Sequence, residues 1–220
     1  MTDLLVRNEA SAALCDLLAL GFSYPDHELY SALNSGSFSA DAAANIALLG
    51  DPAPLRDALE HLVAGVRIVT DAGPLEKLQS EYLELFELNR HQPPLHLNAH
   101  LYAPGQTDPV PLYRKLNDMY RAFGLELKAD PRVESADHLT LQLEFLAYLY
   151  RLRGSMLKTR QQDAAARVRE GIETFLIELA WVDRFVELLR DRCGHPFYVP
   201  LAGLLQTLLL HAAQQPAARC

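Results

Sequence analysis

The sequence predicts an all-α fold: a compact single-domain bundle of roughly nine or ten helices, interrupted by one long proline-rich loop. Three observations predict it. Apolar residues recur at spacings of three and four along most of the 220 residues. No alternating apolar–polar run is long enough to make a convincing strand. Glycine and proline punctuate the periodic segments at short intervals, where helices stop and start.

The first element spans residues 3 to 20, with Leu4, Leu5, Leu14, Leu17, Leu18 and Leu20 as its apolar positions and Gly21 as its expected terminator. "SYPDHELYSALNSG" predicts a short helix that starts near Pro25 and stops at the Asn-Ser-Gly cluster. "SADAAANIALLG" is an alanine-rich helix ending at Gly50. After an Asp-Pro start, Leu55, Leu59, Leu62 and Val66 fall on one face of the next. From Pro74, "PLEKLQSEYLELFEL" puts Leu75, Leu78, Tyr82, Leu85 and Phe86 on one stripe, with Glu76, Glu81, Glu84 and Glu87 off it. Residues 89 to 109, "NRHQPPLHLNAHLYAPGQTDP", hold four of the 13 prolines. An irregular loop of that length is commonly functional or mobile, and it is the chain's one internal seam. Helix returns in "DPVPLYRKLNDMYRAFG", in "ADHLTLQLEFLAYLY", in a long stretch from about Thr159 to Arg192, and in "YVPLAGLLQTLLLHAA". One domain over residues 1–213 is expected, with 214–220 as a disordered polar tail.

Composition excludes several function classes. The net charge of −8 argues against a phosphate-backbone binder, which needs clustered Lys and Arg. The N-terminal charges Asp3, Arg7, Glu9 and Asp16 leave no room for the apolar core of a signal peptide. No run reaches the roughly 20 apolar residues needed to cross a bilayer. Cys15, Cys193 and Cys220 are too few and too scattered for a disulfide framework. The expectation is a cytoplasmic protein with reduced thiols.

The segment 136 to 150 raises the sharpest chemical question. Asp137 is placed to cap a helix N-terminus, and His138 to occupy the first helical position, partly exposed. Leu139, Leu141, Leu143, Phe145, Leu146 and Leu149 then point almost all round, as in a central helix. Glu144 lies inside that apolar run and is expected to be a buried acid with a partner on a neighbouring helix, because a lone buried carboxylate is costly. His91, His96 and His100 in the proline-rich loop lack the spacing of a metal site and are expected to be solvated or hydrogen-bonded. Cys193-Gly194-His195 looks like a helix ending rather than a nucleophile and base. No phosphate-binding loop, nucleophile elbow or di-iron pattern occurs, so no cofactor or metal is expected.

Two short motifs carry a family resemblance. "EYLELF", residues 81 to 86, and "DHLTLQLEF", residues 137 to 145, are similar to the EYxxLF and DHxxxxLEF elements of the TorD/DmsD/NarJ family of redox-enzyme maturation chaperones. Their order and separation match, with a Pro-rich loop and the Tyr120/Phe123-Gly124 helix end between them. "WVDRFVELLRDRCGHPFYVPLAGLL" resembles the family's C-terminal pattern, so the likeness covers roughly residues 10 to 212. Ala136 stands where the family usually has proline. The loop "LHLNAHLY" is closer to the branch serving nitrate-reductase-like enzymes.

The resemblance implies a non-catalytic cytoplasmic chaperone. It would bind the immature catalytic subunit of a molybdenum oxidoreductase, in many branches through a twin-arginine leader, and hold it for cofactor insertion, assembly or export. Carried over by position, Asp137 and His138 match the pair linked to client recognition. Tyr82, Leu85 and Phe86 match the first motif; Leu143, Glu144 and Phe145 match the end of the second. Asp137, Glu81 and Glu84 would pair with client arginines. Core packing is the competing reading for Tyr82, Leu85 and Phe86. A monomer is expected, with a dimer as the alternative, and the alternative function is a helical adaptor for an amphipathic segment of a non-redox partner.

Overall fold

The computed structural model describes residues 2–88, 92–102, 108–127 and 135–214. Ten α-helices account for most of them: α1 (Thr2–Phe22), α2 (His27–Ser35), α3 (Ser37–Leu48), α4 (Ala53–Ala72), α5 (Leu75–Tyr82), α6 (Val110–Ala122), α7 (Leu139–Lys158), α8 (Gln162–Glu178), α9 (Trp181–Arg192) and α10 (Tyr198–Gln214). No helix among these residues is long and apolar enough to cross a membrane. His91 and Cys220 lie outside the described residues, as does the expected tail apart from Gln214.

Local chemistry sets most boundaries. Asp26 caps α2, its carboxylate accepting the Leu29 N–H at 2.8 Å, and Gly36 ends it in the left-handed region at φ 77°. Gly50 and Gly124, at φ 95° and 80°, close α3 and α6 where glycine stops were expected. Gly21 does not terminate α1. It lies inside the helix, and a Cβ there would stand 2.9 Å from Leu201 Cδ2, so this glycine admits α10 rather than ending α1. The expected stretch from Thr159 to Arg192 is two helices, divided at Leu179–Ala180.

α7 forms the centre. It packs along α1 and α8, while α10 packs along α4 and α1 along α3. One cluster of buried side chains draws on every helix. Leu55, Leu59, Leu62 and Val66 of α4 all enter it, as their spacing predicts.

Glu144 departs from expectation: it is exposed, not buried. α7 is not apolar all round. Leu141, Glu144, Tyr148, Arg151 and Ser155 recur at helical spacing, and none of them is fully buried. Glu144 belongs to that stripe, where a carboxylate keeps its hydration. A polar side chain of α7 that does lie inside the core is Gln142, fully buried, whose Oε1 accepts the Trp181 Nε1–H at 3.0 Å.

Candidate functional site

The first motif changes helix type. After α5 the chain widens into a π-helical turn over Leu83–Glu87, in which the Leu88 N–H donates to the Leu83 carbonyl at 2.7 Å. Within the motif, Tyr82 and Phe86 are buried and Leu85 is half-buried. The Tyr82 hydroxyl donates to the Phe22 carbonyl at 3.2 Å, and its ring meets Phe86 and Tyr198 edge-on at 5.0 and 6.0 Å. Tyr82 and Phe86 are therefore core residues, as the packing reading anticipates. Glu84 is exposed, and the Glu81 side chain is one-third exposed.

Residues 95–98 run extended and lead into a 3-10 turn at Ala99–Leu101, and residues 95–100 together form a strap tying this motif to the second. Leu95, Leu97 and Ala99 point into the core, while His96, Asn98 and His100 are only half-buried. The Leu95 N–H donates to the Leu85 carbonyl at 2.8 Å, inside the π-helical turn. Two residues on, Leu97 accepts the Leu139 N–H at 2.7 Å, and the Ala99 N–H donates to the Asp137 carbonyl at 3.1 Å. Asn98 and His138 thus form an antiparallel bridge. The strap spends its backbone groups on the ends of both motifs, so burying its apolar side leaves few orphaned polar groups.

Asp137 does not cap α7. That position belongs to His138, which makes no side-chain cap bond. The Asp137 carboxylate turns toward the strap instead and is fully buried. It accepts the His100 backbone N–H at 3.0 Å and the Ser135 hydroxyl at 2.7 Å, and it lies 2.7 Å from His100 Nδ1 and 3.3 Å from Asn98 Nδ2. Burial pulls this carboxyl toward its neutral form. The donors from the His100 backbone, Ser135, the His100 ring and Asn98 outweigh it, and the group titrates below its ordinary range. Facing an ionised carboxylate, His100 Nδ1 carries its proton and donates.

His138 is also not the exposed residue expected. It is 8% exposed, with Nδ1 2.8 Å from the Thr140 hydroxyl. Leu143 and Phe145 are buried, and Phe145 stacks edge-on against Tyr120 and Phe175 at 4.6 and 4.8 Å. The Tyr120 hydroxyl donates to the Ala136 carbonyl at 2.6 Å, holding the turn before Asp137. The strap joins the two motifs through backbone. Among the described residues no contact links the Glu81 or Glu84 carboxylate to Asp137.

The sequence reads Cys193-Gly194-His195 as a helix ending, and the structure gives His195 a part in starting the next helix. Its Nδ1 accepts the N–H groups of Phe197 and Tyr198 at 3.2 and 3.3 Å, capping α10. Its Nε2–H therefore donates to Glu81 Oε2, 3.1 Å away. Glu81 Oε2 is thus engaged within the fold, while its side chain remains one-third exposed. Cys193 is half-buried beside it, and burial raises its thiol above the ordinary range, against a nucleophilic role. The strap and His100 carried a readable signal: Leu95 to Leu101 alternates apolar and polar, a period-two run too short to stand out.

The His195 arrangement yields a pH prediction. Burial lowers its titration, outweighing the opposing hydrogen bond and charge of Glu81, so the folded protein favours neutral imidazole. The unfolded chain takes up a proton near pH 6.5, the folded chain only at lower pH. Stability is therefore expected to be whole above about pH 6.5 and to decline below it. His195→Asn, which keeps a polar cap without titrating, should flatten urea midpoints between about pH 5 and 7. An unchanged slope in that variant would remove His195 from the account.

The fold and this site describe an all-helical scaffold organised around two strapped motifs. Residues 49–187 match the family model described as nitrate reductase delta subunit. The chain belongs to that family, of the TorD/DmsD/NarJ type of redox-enzyme maturation chaperones. It is 32% identical over 215 residues to the dimethyl sulfide dehydrogenase assembly chaperone protein of Rhodovulum sulfidophilum, a match spanning 94% of this chain and 78% of that one. In fold it is similar to the crystal structure of a candidate redox enzyme maturation protein from Archaeoglobus fulgidus. That likeness has a TM-score of 0.53 at 17% identity and covers 89% of this chain and 92% of the other.

Proposed function

We propose that this chain is a cytoplasmic, non-enzymatic assembly chaperone that binds the immature catalytic subunit of a molybdenum-containing oxidoreductase and holds it for cofactor insertion and for assembly or export. The observation that carries the reading is the 32% identity, over nearly the whole chain, to a chaperone named for assembling dimethyl sulfide dehydrogenase. Residues 1–213 act as one domain in this proposal. The client segment is a basic, partly apolar stretch such as a twin-arginine leader. Exposed Glu84 and the half-buried polar side of the strap, His96, Asn98 and His100, are the surfaces beside the two motifs that such a segment can reach.

Affinity capture of the tagged chain from its native host, grown on alternative electron acceptors, tests this. A molybdenum-oxidoreductase catalytic subunit, enriched in its apo or leader-bearing form, is the expected capture by mass spectrometry. If that subunit is abundant in the lysate yet left behind while unrelated proteins are retained, the adaptor reading replaces this one.

A further inference from the structure

We infer that His100 is the client-contacting residue of the second motif's surface, and that Asp137 is a positioning residue acting through it. The inference rests on the chaperone reading and assigns a residue within it.

Asp137 cannot meet a ligand in this structure, since its side chain is fully buried and its oxygens are occupied by four donor groups from residues 98, 100 and 135. His138 is 8% exposed, with Nδ1 against Thr140. His100 is the member of this cluster whose ring reaches solvent, with its side chain 24% exposed. Two independent bonds from Asp137 Oδ2 fix it, one to its backbone N–H and one to Nδ1. The Tyr113 ring stands edge-on at 5.8 Å and limits rotation further.

Nδ1–H is committed to the carboxylate, so whenever the ring is neutral Nε2 is left as its hydrogen-bond acceptor, and Nε2 has no partner among the described residues. The acceptor is backed by a buried negative charge, so it favours a cationic donor: a guanidinium or ammonium on the client. Apolar surface flanks it. Leu101, next in the chain, is 52% exposed, and Val110, one helical turn before Tyr113, is 51% exposed. A cation-accepting atom beside exposed aliphatic side chains fits a basic amphipathic segment.

A double-mutant cycle separates positioning from direct contact. Tagged wild type, His100→Ala, Asp137→Asn and the double variant are used to capture the oxidoreductase catalytic subunit from the same cells, and the melting temperature of each purified chain is recorded. Each single variant is expected to lower capture about tenfold, the loss of one charge-assisted bond. The double variant should be no worse than His100→Ala, because Asp137 has nothing to position once the ring is gone. His100→Ala should melt within about 4 °C of wild type, since its backbone N–H still reaches Asp137. Full capture by a folded His100→Ala chain would overturn the inference alone. So would a further tenfold loss on adding Asp137→Asn to it. A wild-type chain that captures no such subunit overturns the chaperone reading itself.

Discussion

Gly65→Ala is expected to destabilise the protein by about 3 kcal/mol or more, one of the largest effects available to a single methyl group here. Gly65 lies mid-way along α4, where a Cβ would stand 1.8 Å from the Pro196 carbonyl oxygen and 2.8 Å from its carbon. Both are backbone atoms, so no rotamer relieves the overlap. The turn at Pro196 cannot retreat freely either, because His195 caps α10 and bonds to Glu81. The intrinsic helix preference of alanine over glycine, about 1 kcal/mol, opposes the clash and is too small to offset it. A fall of about 10 °C in melting temperature is expected. Gly203→Ala is the internal control: a Cβ there meets only the end of the Arg190 side chain, at 3.4 Å, and the change should be neutral or stabilising. Equal urea midpoints for both variants would mean that α4 and the Pro196 turn do not approach this closely.

That close approach could not be read from the sequence, and the reason separates what was legible from what was not. Helix existence follows from short-range periodicity, and α2, α3 and α4 begin and end near the residues whose chemistry announces them: Asp26, Gly36, Gly50 and Pro52. Gly21 and Gly65 have the same identity as Gly36, but their role is set by Leu201 and Pro196, more than a hundred residues away. Asp137 looked like a cap for the same reason. An acid before an apolar run is a local signal, whereas its partners Asn98 and His100 arrive from a strap nearly forty residues earlier in the chain. The leucines on either side of Glu144 mask its exposure when the run is read residue by residue. The half-open stripe through Leu141, Tyr148 and Arg151 was already present in the spacing and places the carboxylate outside.

Asp137→Ala is the second large effect, and it is expected to lower stability by about 3 kcal/mol. The substitution removes the acceptor for the His100 backbone N–H, the Ser135 hydroxyl and the Asn98 amide together, and it leaves part-buried donors to find water. Because the strap also ties to Leu85 and Leu139 through backbone, the helices should persist while amide exchange rises in residues 95–100. Asp137→Asn keeps the shape and one acceptor oxygen, so it should cost less. The two variants also differ from wild type in acid. The folded carboxyl titrates below its ordinary range, so its contribution is present above about pH 4 and lost as pH falls through the lower folded value. Wild type should therefore lose stability relative to Asp137→Asn on acidification below about pH 4, narrowing the gap between them. A gap that stays constant down to about pH 2 would mean that the ionised carboxylate is not what anchors the strap. An Asp137→Ala chain with wild-type exchange at residues 95–100 would mean that the strap holds to α7 through its backbone alone.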